Sequence, residues 1–332
     1  MTSNTTSHLP WKVRFTMSIL SFLISASRRS NDTVNRRLFN FFDRKIPPNP
    51  NFKDGVSSSD VIVDPTRNLW FRLFTPSSNS VSDAPLPVFV FFHGGGFALS
   101  SPSSIMYNNV CHLFCRSFPA IIVSVNYRFA PEHRFPSQYN DGLEILKFLD
   151  QNNNVLGKSA DISKCFLSGD SAGGNLAHHV AVRVPLEKFQ NLKIIGLVSI
   201  QPFFGGEERT ESEIRFKRAS AVSMDKTDWY WKMFLQDGLT RDHEVVNVSG
   251  PNAMDISNVD YPNTLLCLGG LDPLLDWQIR YYEWLIKSGK EVELIEYPNM
   301  IHVFFFFSKL PETSHFISKV KDFITRQMAN VS

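Results

Sequence analysis

Gly169-Asp170-Ser171-Ala172-Gly173 is the segment of this 332-residue chain best suited to covalent chemistry. A serine in Gly-x-Ser-x-Gly can occupy a tight strand-to-helix turn that leaves its hydroxyl exposed as a nucleophile. Such a turn strains the backbone and needs neighbours without bulk, which Gly169, Ala172, Gly173 and Gly174 supply. Taken alone, the motif also fits a glycine-rich turn with an idle serine. A second motif narrows the choice: His93-Gly94-Gly95-Gly96 directly follows the apolar run Val88–Phe92. The amides of Gly94 and Gly95, with that of Ala172, are candidate donors to an oxygen that becomes negative during acyl transfer, and His93 is read as shaping their loop. A phosphate cradle fits these glycines poorly, because no Lys-Ser/Thr follows and the Gly-x-Gly-x-x-Gly spacing is absent.

A serine hydroxyl is a weak nucleophile at neutral pH and needs a base, itself oriented by a carboxylate. Asp272 follows the run Thr264–Leu268, and His302 follows Val292–Glu296, giving the chain order serine, acid, histidine. Of the nine histidines only His302 and His315 come after Asp272, and His315 falls inside the expected last helix. Asp276 competes for the acid role but reads better as the N-terminal end of the next helix, where a carboxylate caps free amides. This scheme requires no cofactor and no metal. Cys111, His112 and Cys115 are partial zinc ligands at best: no second Cys/His pair has a matching spacing, and helix packing accounts for them.

These residues need a scaffold that brings several strand ends together. Apolar runs at Val88–Phe92, Ile121–Val125, Cys165–Ser168, Ile194–Ile200, Thr264–Leu268 and Val292–Glu296 read as buried strands. Between and after them, 104–118, 138–150, 174–184, 276–288 and 314–328 have helical length and periodicity. Val61–Val63 and Leu69–Thr75, joined by Asp64-Pro65-Thr66-Arg67-Asn68, form a hairpin. The expected fold is α/β, an eight-stranded, mostly parallel sheet flanked by helices. Ser171, Asp272 and His302 all fall at C-terminal strand ends, where open α/β sheets place their sites.

Pro47-Pro48-Asn49-Pro50 ends a helical N-terminal arm, 1–48, and separates it from the main domain, 49–332. About sixty residues from Gln201 to Tyr261 are too many for a simple connection, and roughly 205–260 are expected to contribute to a cap. Within it, Asp225-Lys226-Thr227-Asp228 is a candidate helix start before Trp229, Tyr230 and Trp231.

A net charge of +2, from 34 basic and 32 acidic residues, offers no field to attract nucleic acid. Four scattered cysteines read as free thiols in a reducing compartment, the cytoplasm with the nucleus as a further option. Lys12 to Ala26 is too short to span a bilayer. As a secretory signal it is interrupted by Thr16, Ser18, Ser21 and Ser25, so it is read as a lid or surface helix. The sequons at Asn4, Asn31, Asn247 and Asn330 would matter only in a secreted chain.

At this point the chain resembles the hormone-sensitive-lipase-like carboxylesterases of the α/β-hydrolase fold, and most closely the plant carboxylesterases related to the gibberellin receptor. The resemblance covers nearly the whole chain. It rests on His93 to Phe97, on Asn126-Tyr127-Arg128-Phe129-Ala130-Pro131-Glu132-His133 and on Gly169 to Asn175. Gly270-Leu271-Asp272-Pro273-Leu274 and Tyr297-Pro298-Asn299-Met300-Ile301-His302 complete it. It implies that the N-terminal arm folds over the site as a lid, and that Arg128, Glu132 and Asp141 are scaffold joined by an internal salt bridge. It also implies a small-molecule ester as substrate; no protein partner is implied. In the receptor branch the histidine is lost, and a related isoflavonoid dehydratase has threonine at the nucleophile; this chain has His302 and Ser171.

The leading expectation is therefore a carboxylesterase for small apolar or aromatic esters. A small-molecule receptor and an elimination or cyclisation catalyst of plant metabolism are the alternatives. Phe97, Leu99, Phe203, Phe204, Trp229, Trp231 and Phe304 are candidate pocket walls, although most of the 29 phenylalanines must fill the interior. The run Phe304 to Phe307 cannot all face one pocket.

Overall fold

The computed structural model describes residues 8–77, 85–118, 120–220 and 222–331, so the sequon at Asn4 lies outside the described residues. In chain order the elements are α1 (Trp11–Ser27), α2 (Arg36–Phe42), β1 (Val56–Asp64), β2 (Leu69–Pro76), β3 (Leu86–Phe92), α3 (Ile105–Ser117) and β4 (Ile121–Asn126). They continue with α4 (Ser137–Gln151), β5 (Ala160–Asp170), α5 (Ala172–Arg183), β6 (Ile194–Ile200), α6 (Glu211–Arg215) and α7 (Met224–Phe234). β7 (Thr264–Gly269), α8 (Leu275–Lys287), β8 (Val292–Tyr297) and α9 (Pro311–Ala329) complete the chain.

The eight strands form one sheet in the order β1-β2-β4-β3-β5-β6-β7-β8. β2 pairs antiparallel with both β1 and β4, and all other pairings are parallel. The crossing of β3 and β4 makes the sheet reverse its winding beside β3 and β5, the strands that lead into the two glycine motifs.

All seven residues of β3 are buried because helices cover both faces of the sheet. Val88, Val90 and Phe92 pack on one face with Leu146 and Leu149 of α4 and Leu176 and Val180 of α5. Phe89 and Phe91 point the other way, onto Phe114 of α3 and Phe316 and Phe323 of α9. Each such side chain contributes about 1.5–3 kcal/mol on burial. The four cysteines are free and buried in this core, and burial pushes the Cys111 thiol up to about 12. Among the described residues no helix is long and apolar enough to cross a membrane, and no three potential metal ligands cluster.

The expected scaffold ion pair is present in part. Asp141, fully buried, accepts from the Arg128 guanidinium at 2.8 Å and from the Arg128 amide at 2.9 Å. Glu132 is instead half exposed and pairs with Arg36 of the arm. The same guanidinium donates to the carbonyls of Ala98 at 2.5 Å and Ala130 at 2.8 Å, so Arg36 clamps the arm to the domain. Asn247, a sequon asparagine, is buried and bonds Asp242.

Two buried histidines on α5 set a pH limit on stability. His178 lies 2.8 Å from the Tyr261 hydroxyl and 3.1 Å from that of Tyr281; burial pulls it down to about 3 and holds His179 well below its usual range. Folding therefore refuses protons that the unfolded chain accepts below about 6.5. The stability these groups allow is complete above that pH and is lost as pH falls toward 3. Each group adds a slope approaching 1.4 kcal/mol per pH unit. In urea unfolding between pH 6 and 4, His178→Gln should flatten the pH dependence by about that amount. Parallel slopes for the two proteins would contradict this account.

Candidate active site

Ser171 sits between β5 and α5 at φ 52° and ψ −121°, a conformation that non-glycine residues rarely adopt. Its surroundings hold it there. The Ser171 amide donates to the Ile200 carbonyl at 3.0 Å, while its own carbonyl accepts from Gly174, Asn175 and Phe203 at 2.8–3.1 Å. Close approach demands glycine at 173, where a Cβ would stand 1.9 Å from the Phe92 carbonyl oxygen.

Asp272 and His302 arrive from the loops after β7 and β8. His302 Nδ1 is 2.6 Å from Asp272 Oδ2, both side chains are buried, and His302 Nε2 has no partner among the described residues. Asp272 also accepts from the Leu274 amide at 2.9 Å and from the side chains of Gln278 at 3.1 Å and Gln201 at 3.2 Å. Asp276 is the second residue of α8, but its carboxylate accepts from the Ser212 amide of α6 at 2.7 Å, away from His302. His315 lies within α9 and bonds the Tyr297 hydroxyl.

The glycine loop differs from the sequence expectation in one donor. The Gly94 amide is already used, donating to Asp170 Oδ1 at 2.9 Å, while the Tyr107 hydroxyl donates to Oδ2 at 3.0 Å. Burial raises Asp170 to about 7. The amides of Gly95, Gly96 and Ala172 have no acceptor among the described residues. Gly95 and Gly96, at φ 104° and 60°, line the cavity that holds Ser171 and His302. His93 does brace the loop: its ring stacks on Tyr127 at 4.5 Å, Nδ1 lies 2.7 Å from the Gly94 carbonyl, and burial pulls it down to about 3.

That cavity, about 200 Å³, is walled by the N-terminal helices as much as by the loops and helices that follow the strands. Ile19, Leu20, Leu23 and Ile24 of α1 and Phe39 and Phe42 from α2 form one side. Of the expected pocket walls only Leu99 lines it. Phe97 stacks on Phe234 at 4.0 Å and Phe203 on Trp231 at 4.0 Å, so Phe97 and Phe203 are in the core against the buried face of α7. Phe204 packs on Tyr281, and Trp229 donates to the Asp32 carbonyl at 3.0 Å, pinning the arm. Phe304 packs on Tyr297, and Phe306 is the member of that run at the cavity. From the segment expected to contribute to a cap, the aromatic that lines the cavity is Tyr230 of α7. The helix start expected at Asp225 lies at Met224, after Ser223.

Residues 89–306 match a family model described as alpha/beta hydrolase fold. A gibberellin receptor of Arabidopsis thaliana is 39% identical over 300 residues, 87% of this chain and 86% of that protein. Carboxylesterase 20 of the same plant is 37% identical over 82% of this chain and 85% of its own. The 3-O-acetylpapaveroxine carboxylesterase of Papaver somniferum is 33% identical over 91% and 96%. An esterase of Pyrobaculum calidifontis superposes with a TM-score of 0.71 at 25% identity, covering 97% of this chain and 94% of that one. By the family match and these identities, the chain belongs to the α/β-hydrolase-fold family, in the hormone-sensitive-lipase-like branch that holds plant carboxylesterases and gibberellin receptors.

Proposed function

We propose that this protein is a serine carboxylesterase acting on small, largely apolar esters, with Ser171 as nucleophile, His302 as base and Asp272 as its orienting acid. The observation that carries the proposal is the His302 ring. Nδ1 is engaged by Asp272 at 2.6 Å and Nε2 has no partner among the described residues, in a cavity that Ser171 also lines. A receptor pocket has no need of such a polarised base.

In the proposed reaction Ser171 Oγ bonds to the ester carbonyl carbon as its proton passes to His302 Nε2. The oxyanion is received by the amides of Gly95, Gly96 and Ala172, and the Asp272 carboxylate stabilises the imidazolium. The ester C–O bond then breaks, His302 returns the proton to the departing alkoxide, and an acyl-serine remains. Water repeats the sequence and releases the acid. Asp170 positions the glycine loop through Gly94 and is not a base in this scheme.

The cavity is below the about 300–1,000 Å³ of sites for drug-sized ligands, which supports a compact ester. The arm serves as a lid: its apolar helices close one wall, and Arg36, Asp32 and the Lys226–Ser21 bond of 2.6 Å tie it down. The similarity to gibberellin receptors favours a second reading, ligand binding without turnover. Purified protein should hydrolyse p-nitrophenyl acetate and butyrate and take one organophosphate label at Ser171. Absence of both turnover and label would favour the receptor reading.

A further inference from the structure

Gln201, the residue after β6, is fully buried and stands at φ 43°. Its carboxamide touches both flanks of the base and the acid together. Oε1 accepts from the Val303 amide at 2.7 Å, while Nε2 donates to the Ile301 carbonyl and to Asp272 Oδ2, each at 3.2 Å. The residues before and after His302, and the carboxylate that holds its ring, are thus joined through one side chain. We infer that Gln201 is a positioning residue that fixes His302 and Asp272 relative to each other and so sets the geometry of the base.

The chemistry of the seat selects an amide. Reversing the carboxamide would set its NH₂ against the Val303 N–H and its oxygen against two acceptors, so the orientation follows from the network. An apolar side chain supplies neither end, and a carboxylate has no donor for Asp272. The seat is also cut to size: a Cβ on Gly269, at the end of β7, would lie 2.4 Å from Gln201 Nε2. Val303 shows what the contact restrains. This β-branched residue adopts φ 59° and ψ 29°, a genuine outlier that persists only where surroundings over-determine it, and Gln201 holds its amide. Gln278 also donates to Asp272, but its other bond is to Pro202, so it leaves the histidine loop untouched.

This inference rests on the hydrolase reading, and its test separates the two. In the full chain, Gln201→Met should lower kcat by up to about 10²-fold with KM nearly unchanged, because the base is displaced while the cavity is not. Gln201→Glu should move the acid limb of kcat/KM to higher pH by about one unit, since a second carboxylate beside Asp272 favours the imidazolium. Both variants matching wild type in kcat and pH profile would overturn the inference. In ¹⁵N-labelled wild-type protein the Gln201 side-chain amide protons should exchange slowly and shift along the titration of the His302 ring. Fast exchange with no such shift overturns it even if neither variant folds. A wild-type protein that hydrolyses no ester sinks the hydrolase reading, while the resonance measurement still decides whether Gln201 couples to His302.

Discussion

Ser171→Ala is expected to lower kcat for a p-nitrophenyl ester on the order of 10⁶-fold, and His302→Ala by a similar factor. The double variant should be no slower than either single one, because nucleophile and base act as one unit: without the proton acceptor the hydroxyl is idle, and without the hydroxyl the acceptor has nothing to activate. Rates would then settle on the residual catalysis of the amide donors and the cavity, about 10³–10⁴ over water.

The substitution should leave the fold intact. The Ser171 hydroxyl makes no hydrogen bond among the described residues, and the strained turn is held by the bond of its amide to the Ile200 carbonyl and by those its carbonyl accepts from Gly174, Asn175 and Phe203, all of which alanine retains. Alanine at φ 52° is no more strained than serine. The melting temperature should therefore stay within a few degrees of wild type while the organophosphate label disappears. Either variant keeping activity within tenfold of wild type would remove Ser171 or His302 from the mechanism.

Much of this site could be read from the chain because its parts end strands that announce themselves. β3, β4, β6 and β7 are mostly apolar runs buried on both faces, and Asp272 follows the last of them; Ser171 follows β5, buried from Cys165 onward, and His302 follows β8, an edge strand in which only Ile295 and Tyr297 are buried. β1 was legible only at Val61–Val63, because its Ser57–Asp60 half is polar and lies at the sheet edge. What escaped depends on contacts between distant parts of the sequence. The direction of α1 is one case: Val13, Met17 and Ile24 face inward but Trp11, Phe15 and Phe22 are exposed, so hydrophobicity does not tell the cavity face from the outer one. The use of Gly94 rather than Gly96 is another, decided by where the Asp170 carboxylate points across 76 residues of chain. The pocket aromatics failed for a related reason: residue type cannot separate Phe306, at the cavity, from Phe304, two residues earlier in the core.

Gly96→Ala tests the corrected set of donors. A Cβ at this position would stand 2.3–2.6 Å from ring atoms of Tyr230, so ring or loop must move. The ring is the stiffer partner. Its neighbours on α7 are fixed, Trp231 by stacking on Phe203 at 4.0 Å and Trp229 by its bond to Asp32 at 3.0 Å. The loop should yield, carrying the Gly95 and Gly96 amides away from the developing oxyanion. One such donor is worth about 2.7–4 kcal/mol, so kcat should fall roughly 10²–10³-fold with little change in KM. Adding Tyr230→Ala removes the clash and should restore at least about tenfold of that loss, a coupling of some 1.4 kcal/mol between residues that touch. The φ of 60° alone costs alanine only about 1–2 kcal/mol, which a partly rescued double variant can bear. Wild-type kcat in Gly96→Ala would mean that the oxyanion is stabilised elsewhere. A loss that Tyr230→Ala cannot relieve would mean that the backbone conformation, and not the ring, holds the donors in place.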